Sequence, residues 1–198
     1  MANLDIDLFE GCNSDANATS LWVSSASGSA EVGTGGTILY TDSGGLNPVA
    51  SPAYVGGYVV HKFLTVGTGA SFTPFKALNV EALVVGGGGG GGNYTGGVGG
   101  GAGGLVMHPS SAVTVQAYVV TVGAGGPSSN YTVQNNLGTD SIFNGLTAKG
   151  GGSGGGYNGG YGGTTRAGGC GAGGNSTTTT GGAETQSSVG GDSSTYGF

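Results

Sequence analysis

The chain has 198 residues, of which 50 are glycine and only 7% are charged, and its formal net charge is -6. Its four cations, Lys62, Lys76, Lys149 and Arg166, give a polyanion little to hold, which excludes nucleic acid as a partner. No apolar run approaches the roughly 20 residues needed to cross a bilayer, and Met1-Ala2-Asn3-Leu4-Asp5 lacks the basic start and apolar centre of a secretory signal. The expectation is a soluble chain that stays inside its cell or leaves by lysis.

Residues 1–54 mix short apolar runs, Leu21-Trp22-Val23 and Thr37-Ile38-Leu39-Tyr40, with turn formers at Gly35-Gly36, Asp42-Ser43-Gly44-Gly45 and Asn47-Pro48. This reads as a β and loop segment for attachment or assembly, in which Trp22 serves as a core or subunit contact. From residue 55 the pattern sharpens. Tyr58-Val59-Val60-His61-Lys62-Phe63-Leu64 is β-branched and aromatic, Gly67-Thr68-Gly69 reads as a turn, Ser71-Phe72-Thr73 as extended, and residues 79–85 as a strand. Together these suggest a small antiparallel unit. Alternation then predicts one strand over residues 113–122, and Asn144-Gly145 predicts a hairpin joining Asp140-Ser141-Ile142-Phe143 to Leu146-Thr147-Ala148.

Only 11 glycines precede residue 86, and 39 follow from there on. They form two fields, residues 86–104 and residues 150–182, with irregular spacing in the second. The absence of a Gly-X-Y period excludes collagen. A phosphate-binding loop needs a helix after the glycines, usually with a lysine, and neither is present. A flexible linker has no reason to interleave strands with its glycines. The reading that remains is a packed array of polyglycine II rods, three residues per turn, whose neighbours approach closely because no Cβ separates them. The expected fold is therefore all-β with a glycine-rich polyglycine II bundle or sandwich and little or no α-helix, the glycine-rich domain covering residues 55–198.

In such an array the residues that interrupt the glycine fall at rod ends. They are rich in Tyr, Asn and Thr, the mixture favoured in binding loops. The candidate recognition residues are Asn93, Tyr94, Thr95, Tyr157, Asn158, Tyr161, Thr164, Arg166, Asn175, Thr177 and Thr178.

The order Tyr58-Val59-Val60-His61-Lys62-Phe63, then Val80-Glu81-Ala82-Leu83-Val84-Val85 with its seven glycines, then Gly99-Gly100-Gly101-Ala102-Gly103-Gly104-Leu105, is continued downstream. There follow Tyr118-Val119-Val120-Thr121-Val122-Gly123-Ala124-Gly125-Gly126, Gly138-Thr139-Asp140-Ser141-Ile142-Phe143, and Leu146-Thr147-Ala148 before the second glycine field. This string, about two thirds of the chain, resembles the glycine-rich proteins of tailed-phage virions, including T-even-type tail-fibre tip adhesins with a polyglycine II sandwich. The resemblance implies a virion protein whose glycine core holds variable loops against an outer-membrane protein or glycan of the host. It carries over as an assignment of loops only.

No catalytic constellation is present. His61 and His108 read as structural or surface residues, and Asp5, Asp7 and Glu10 form a solvated face without the ligand spacing of a calcium loop. No enzyme activity, metal or cofactor is expected. Cys12 and Cys170 belong to no metal-binding spacing and read as thiols, with a bridge between them as the alternative. The sequons at Asn17, Asn93, Asn130 and Asn175 read as unmodified. Because a glycine bundle buries little apolar surface, a homo-oligomer or docking onto other virion proteins is expected to add stability. The leading reading is a fibre or tail-tip protein made in the host cytoplasm and carried on the virion. Two alternatives stay open: a purely structural virion fibre, decoration or connector, and a secreted ice-binding or matrix protein with a flat threonine-bearing face.

Overall fold

The structure, a computed structural model, describes residues 32–50, 56–92, 98–128, 136–154, 167–174 and 181–186, together with the backbone of residues 21–26 and 194–196. Among the described residues there is no helix. The strands are β1 (Leu21–Ala26), β2 (Gly33–Thr34), β3 (Thr37–Thr41), β4 (Tyr58–Phe63), β5 (Gly67–Pro74), β6 (Leu78–Val85), β7 (Leu105–Val113), β8 (Tyr118–Val122), β9 (Ser141–Phe143), β10 (Leu146–Ala148) and β11 (Ser194–Tyr196). They build a six-stranded sheet in the order β11-β7-β6-β1-β4-β3 and a five-stranded sheet in the order β10-β9-β8-β5-β2. The pairings within both sheets are antiparallel.

The all-β expectation is met, and its cause is visible strand by strand. On β6 the residues Val80, Ala82 and Val84 are buried in the core cluster, the period of two that turns alternate side chains to one face. From across the sandwich they meet Phe72 of β5, Val120 and Val122 of β8, Phe143 of β9, and Leu146 and Ala148 of β10. The rings of Phe72 and Phe143 pack edge to face with centroids 6.2 Å apart. His61 is fully buried in the same interior. Its Nδ1 hydrogen-bonds the Gly35 carbonyl at 2.8 Å, and its ring lies 4.9 Å from that of Phe72. It is a structural histidine.

The expected antiparallel unit of β4, β5 and β6 is divided between the sheets. β1 lies between β4 and β6, while β5 pairs with β2 and β8. The single strand expected over residues 113–122 is two strands. β7 ends at Val113, the chain turns with Gln116 N donating to Thr114 O at 2.8 Å, and β8 starts at Tyr118. The turn is needed because β7 and β8 belong to different sheets, and it leaves Val115 exposed at its apex. The turn expected at residues 67–69 is instead the start of β5. Gly67 and Gly69 take φ of 124° and 129° around a register shift between Thr68 and Ala70, a backbone that glycine adopts without cost.

Strands β6, β8 and β10 run directly into residues 86–92, 123–128 and 149–154, and residues 98–104 and 136–140 run directly into β7 and β9. These five segments, four of them glycine-rich, continue both layers beyond the last core side chains.

Candidate functional site

Beyond the core the two layers bond to each other directly. The first glycine segment, residues 86–92, donates from Gly86, Gly89 and Gly92 to the carbonyls of Gly104, Gly101 and Val98, at 2.8, 2.8 and 2.7 Å. It donates from Gly87 and Gly90 to Thr139 and Asn136 of the other layer, and it accepts at Gly87 and Gly90 from Gly151 and Gly154. Each of these series advances by three residues, whereas a strand in a sheet addresses one neighbour every second residue. Residues 167–174 add a further segment, with Cys170 N donating to Ala102 O and Gly173 N to Gly99 O, and residues 181–186 bond to that one through Gly182 N and Ala172 O.

The same step of three decides where a side chain fits. A Cβ on Gly86, Gly87, Gly89 or Gly90 would collide with a backbone carbonyl, whereas at Gly88 and Gly91 the nearest atoms are 3.9 and 3.4 Å away. In residues 98–104 the open position is Gly99, and three residues later Ala102 carries a real, exposed methyl. Ala124 and Pro127 keep the interval, as do Ala167 and Cys170. Not every buried position is glycine, contrary to the simplest expectation for such a bundle. Ser153, Cys170 and Ala172 are each buried among the segments.

Where the ladder's period of two gives way to three, side chains take up backbone donors. Gly123 N donates to Ser141 Oγ at 2.9 Å and Ala124 N to Thr139 Oγ1 at 2.7 Å. Gly150 N donates to Asp140 Oδ1 at 2.9 Å, and the other carboxylate oxygen of Asp140 meets Lys149 Nζ at 2.7 Å. Lys149 N donates to Gln186 Oε1 at 2.8 Å. These polar residues were not singled out by sequence reasoning, because their partners lie up to 37 residues away.

The candidate recognition residues Asn93, Tyr94, Thr95, Tyr157, Asn158, Tyr161, Thr164, Arg166, Asn175, Thr177 and Thr178 lie outside the described residues. Of the described residues near them, Gly92, Val98, Gly154 and Gly173 gather at the end of the bundle remote from the sandwich, whereas Gly169, just after Arg166, lies at the sandwich end against Gly104 and Lys149. Gly92 N bonds Val98 O, Gly154 N bonds Gly90 O at 2.9 Å, and Gly173 packs against the Val98 side chain. Pro127 and Asn136 close around Gly90 at the same end.

A second surface feature belongs to the five-stranded sheet. Its outer face aligns Thr147, Ile142, Thr121 and Thr68 in one row across four strands. Val119 opposes Ser71 in the next row. Val119 is 59% and Ile142 39% exposed, and these two rows carry no charge. Among the described residues no group of three His, Cys, Asp or Glu side chains is placed to hold a metal ion.

A sandwich whose strands continue into a hydrogen-bonded glycine bundle defines a class of glycine-rich β protein. The glycine-rich domain family matches residues 64–197, and the chain belongs to that family. No curated protein and no solved structure matches it.

Proposed function

We propose that the chain is a phage virion protein, a fibre or tail-tip component that recognises the host surface through loops held on a rigid glycine scaffold. The observation that carries this reading is the convergence of Gly92, Val98, Gly154 and Gly173 at one end of the bundle, so that the connections leaving them start from a common tip. The three-residue period of the hydrogen bonds supports polyglycine II as the conformation of the rods. Tyrosine, asparagine and threonine in those connections offer contact area and adaptable hydrogen bonds to an outer-membrane protein or glycan. On this reading the protein is carried on the virion surface, is made in the host cytoplasm, docks on other virion proteins and performs no catalysis. The purified chain is expected to bind cells of the phage's host and to block adsorption. The paired substitutions Tyr157→Ala and Tyr161→Ala are expected to weaken both effects without moving the unfolding midpoint. Failure of the unaltered chain to bind or block would overturn the proposal.

The uncharged outer face of the five-stranded sheet favours a second reading, a purely structural virion component packed against neighbouring subunits. An electron-density map of the particle separates the two: a bundle tip pointing to solvent at the end of a tail supports recognition, and a tip buried between subunits supports structure.

A further inference from the structure

The two open sheets present four edge strands, β3, β11, β10 and β2. β3 is bridged along its outer side by Val49, through paired bonds with Tyr40 of 2.8 Å each, and β2 has only two residues. β10 is an edge strand of the five-stranded sheet, and its register against β9 pairs Leu146 with Phe143, Thr147 with Ile142 and Ala148 with Ser141. Its outward side offers the carbonyl of Thr147 and the amide of Lys149, the pair of groups that a neighbouring strand takes up.

Both groups are taken up by one side chain. Gln186 Oε1 accepts from Lys149 N at 2.8 Å, and Gln186 Nε2 donates to Thr147 O at 3.2 Å. A primary amide has one acceptor and two donors in a plane, so it reproduces the acceptor and donor of a peptide unit. Gln186 reaches this place because Gly104 beside it has no side chain, and a Cβ there would collide with Oε1. We infer that Gln186 is an edge guard: its amide stands in for a strand on β10 and keeps a second copy of the chain from adding one there. The role requires both ends of the amide and the bare backbone at Gly104. It is independent of what the bundle tip binds.

The test compares the full chain with Gln186→Ala and with Gln186→Ala combined with Thr147→Pro. Within a residue of an antiparallel strand the N–H and C=O point to the same side, so the Thr147 amide faces the open edge and proline removes it without breaking a bond to β9. Association is read by light scattering across a concentration series, and exchange of the Lys149 amide is read by NMR or mass spectrometry in dilute solution. Gln186→Ala is expected to raise the Lys149 exchange rate about tenfold, the factor for one lost hydrogen bond, and to form larger species at lower concentration than the unaltered chain. The double variant is expected to keep the fast exchange and lose the extra association. Unchanged exchange and association in Gln186→Ala overturn the inference, as does association that persists in the double variant. Where Gln186→Ala fails to unfold cooperatively, Gln186→Glu replaces it. Glutamate keeps the acceptor for Lys149 and loses the donor to Thr147, and it is expected to associate while protecting the Lys149 amide, with no association overturning the inference.

Discussion

The carbonyl oxygen of Ala124 occupies the place where a side chain on Gly87 would begin. One residue further on, at Gly88, the nearest atom to such a side chain is 3.9 Å away. Gly87→Ala is therefore expected to force backbone apart in the middle of the bundle and to destabilise the chain by about 3 kcal/mol, the upper part of the range for overpacking. Gly88→Ala is expected to be neutral or to stabilise by about 0.5 kcal/mol, since alanine restricts the unfolded chain. Denaturant unfolding of the two variants checks both outcomes, and equal losses would refute the step of three.

The hairpin between β9 and β10 turns through Asn144 at φ 44° and Gly145 at φ 79°. Asn144 also donates from Nδ2 to Ser111 Oγ at 3.0 Å and to Ala112 O at 3.1 Å, tying the turn to β7 across the sandwich. Gly145→Ala places a Cβ in the left-handed region and is expected to cost about 1 kcal/mol, with open space around it so that nothing else is lost. Urea denaturation measures the cost, and a change below a few tenths of that figure would count against the turn geometry.

Two carboxylates give opposite pH signatures. Hydrogen bonds hold Asp42 below its ordinary value of 3.8, first from the Leu46 backbone amide and then from the Asn47 side chain, at 2.9 and 2.8 Å. A depressed folded value means that its contribution is present above 3.8 and is lost as the pH falls through the folded value. Glu81 is half-buried, and burial pushes it above its ordinary 4.5. Its ionised form disfavours the fold at neutral pH, and that penalty fades as the pH falls through the raised value towards 4.5. Asp42→Asn is thus expected to flatten the loss of stability in acid, and Glu81→Gln to stabilise at pH 7 but not near pH 4. Unfolding midpoints across pH 3–7 give the sign in each case.

Cys170 is buried within residues 167–174, its Sγ 3.8 Å from the Gly103 carbonyl. Alkylation of this thiol is expected to be slow in the native chain and to track global unfolding in denaturant, read by mass spectrometry of the labelled peptide. Rapid native labelling would show that residues 167–174 open by themselves.

The hairpin at Asn144-Gly145 and strand β6 were legible in the sequence because each carries its own signal, a left-handed turn pair and an alternating apolar face. β7 was not, because Pro109, Ser110 and Ser111 interrupt its apolar pattern beside a bulge between Val80 and Ala82 of its partner. The alternation over residues 113–122 concealed a turn, since Val115 has the residue type of a strand and the exposure of a loop. In the glycine fields composition pointed to close packing. The interval of three was already written in Gly100-Gly101-Ala102-Gly103-Gly104-Leu105 and Gly168-Gly169-Cys170, yet it becomes readable only when the colliding neighbours are known. The candidate loop residues fall outside the described residues, and the fixing role of Gln186 depends on partners 37 and 39 residues away.

The spacing of the permissive positions also governs how such a bundle can change in length. Adding one residue to residues 86–92 would shift the remainder of that segment out of its three-residue interval and bring Gly88 or Gly91 to where only a bare backbone fits. Three residues restore the orientation, provided that the opposed segment, residues 98–104, grows by the same amount. Growth of the scaffold is therefore confined to matched triplets.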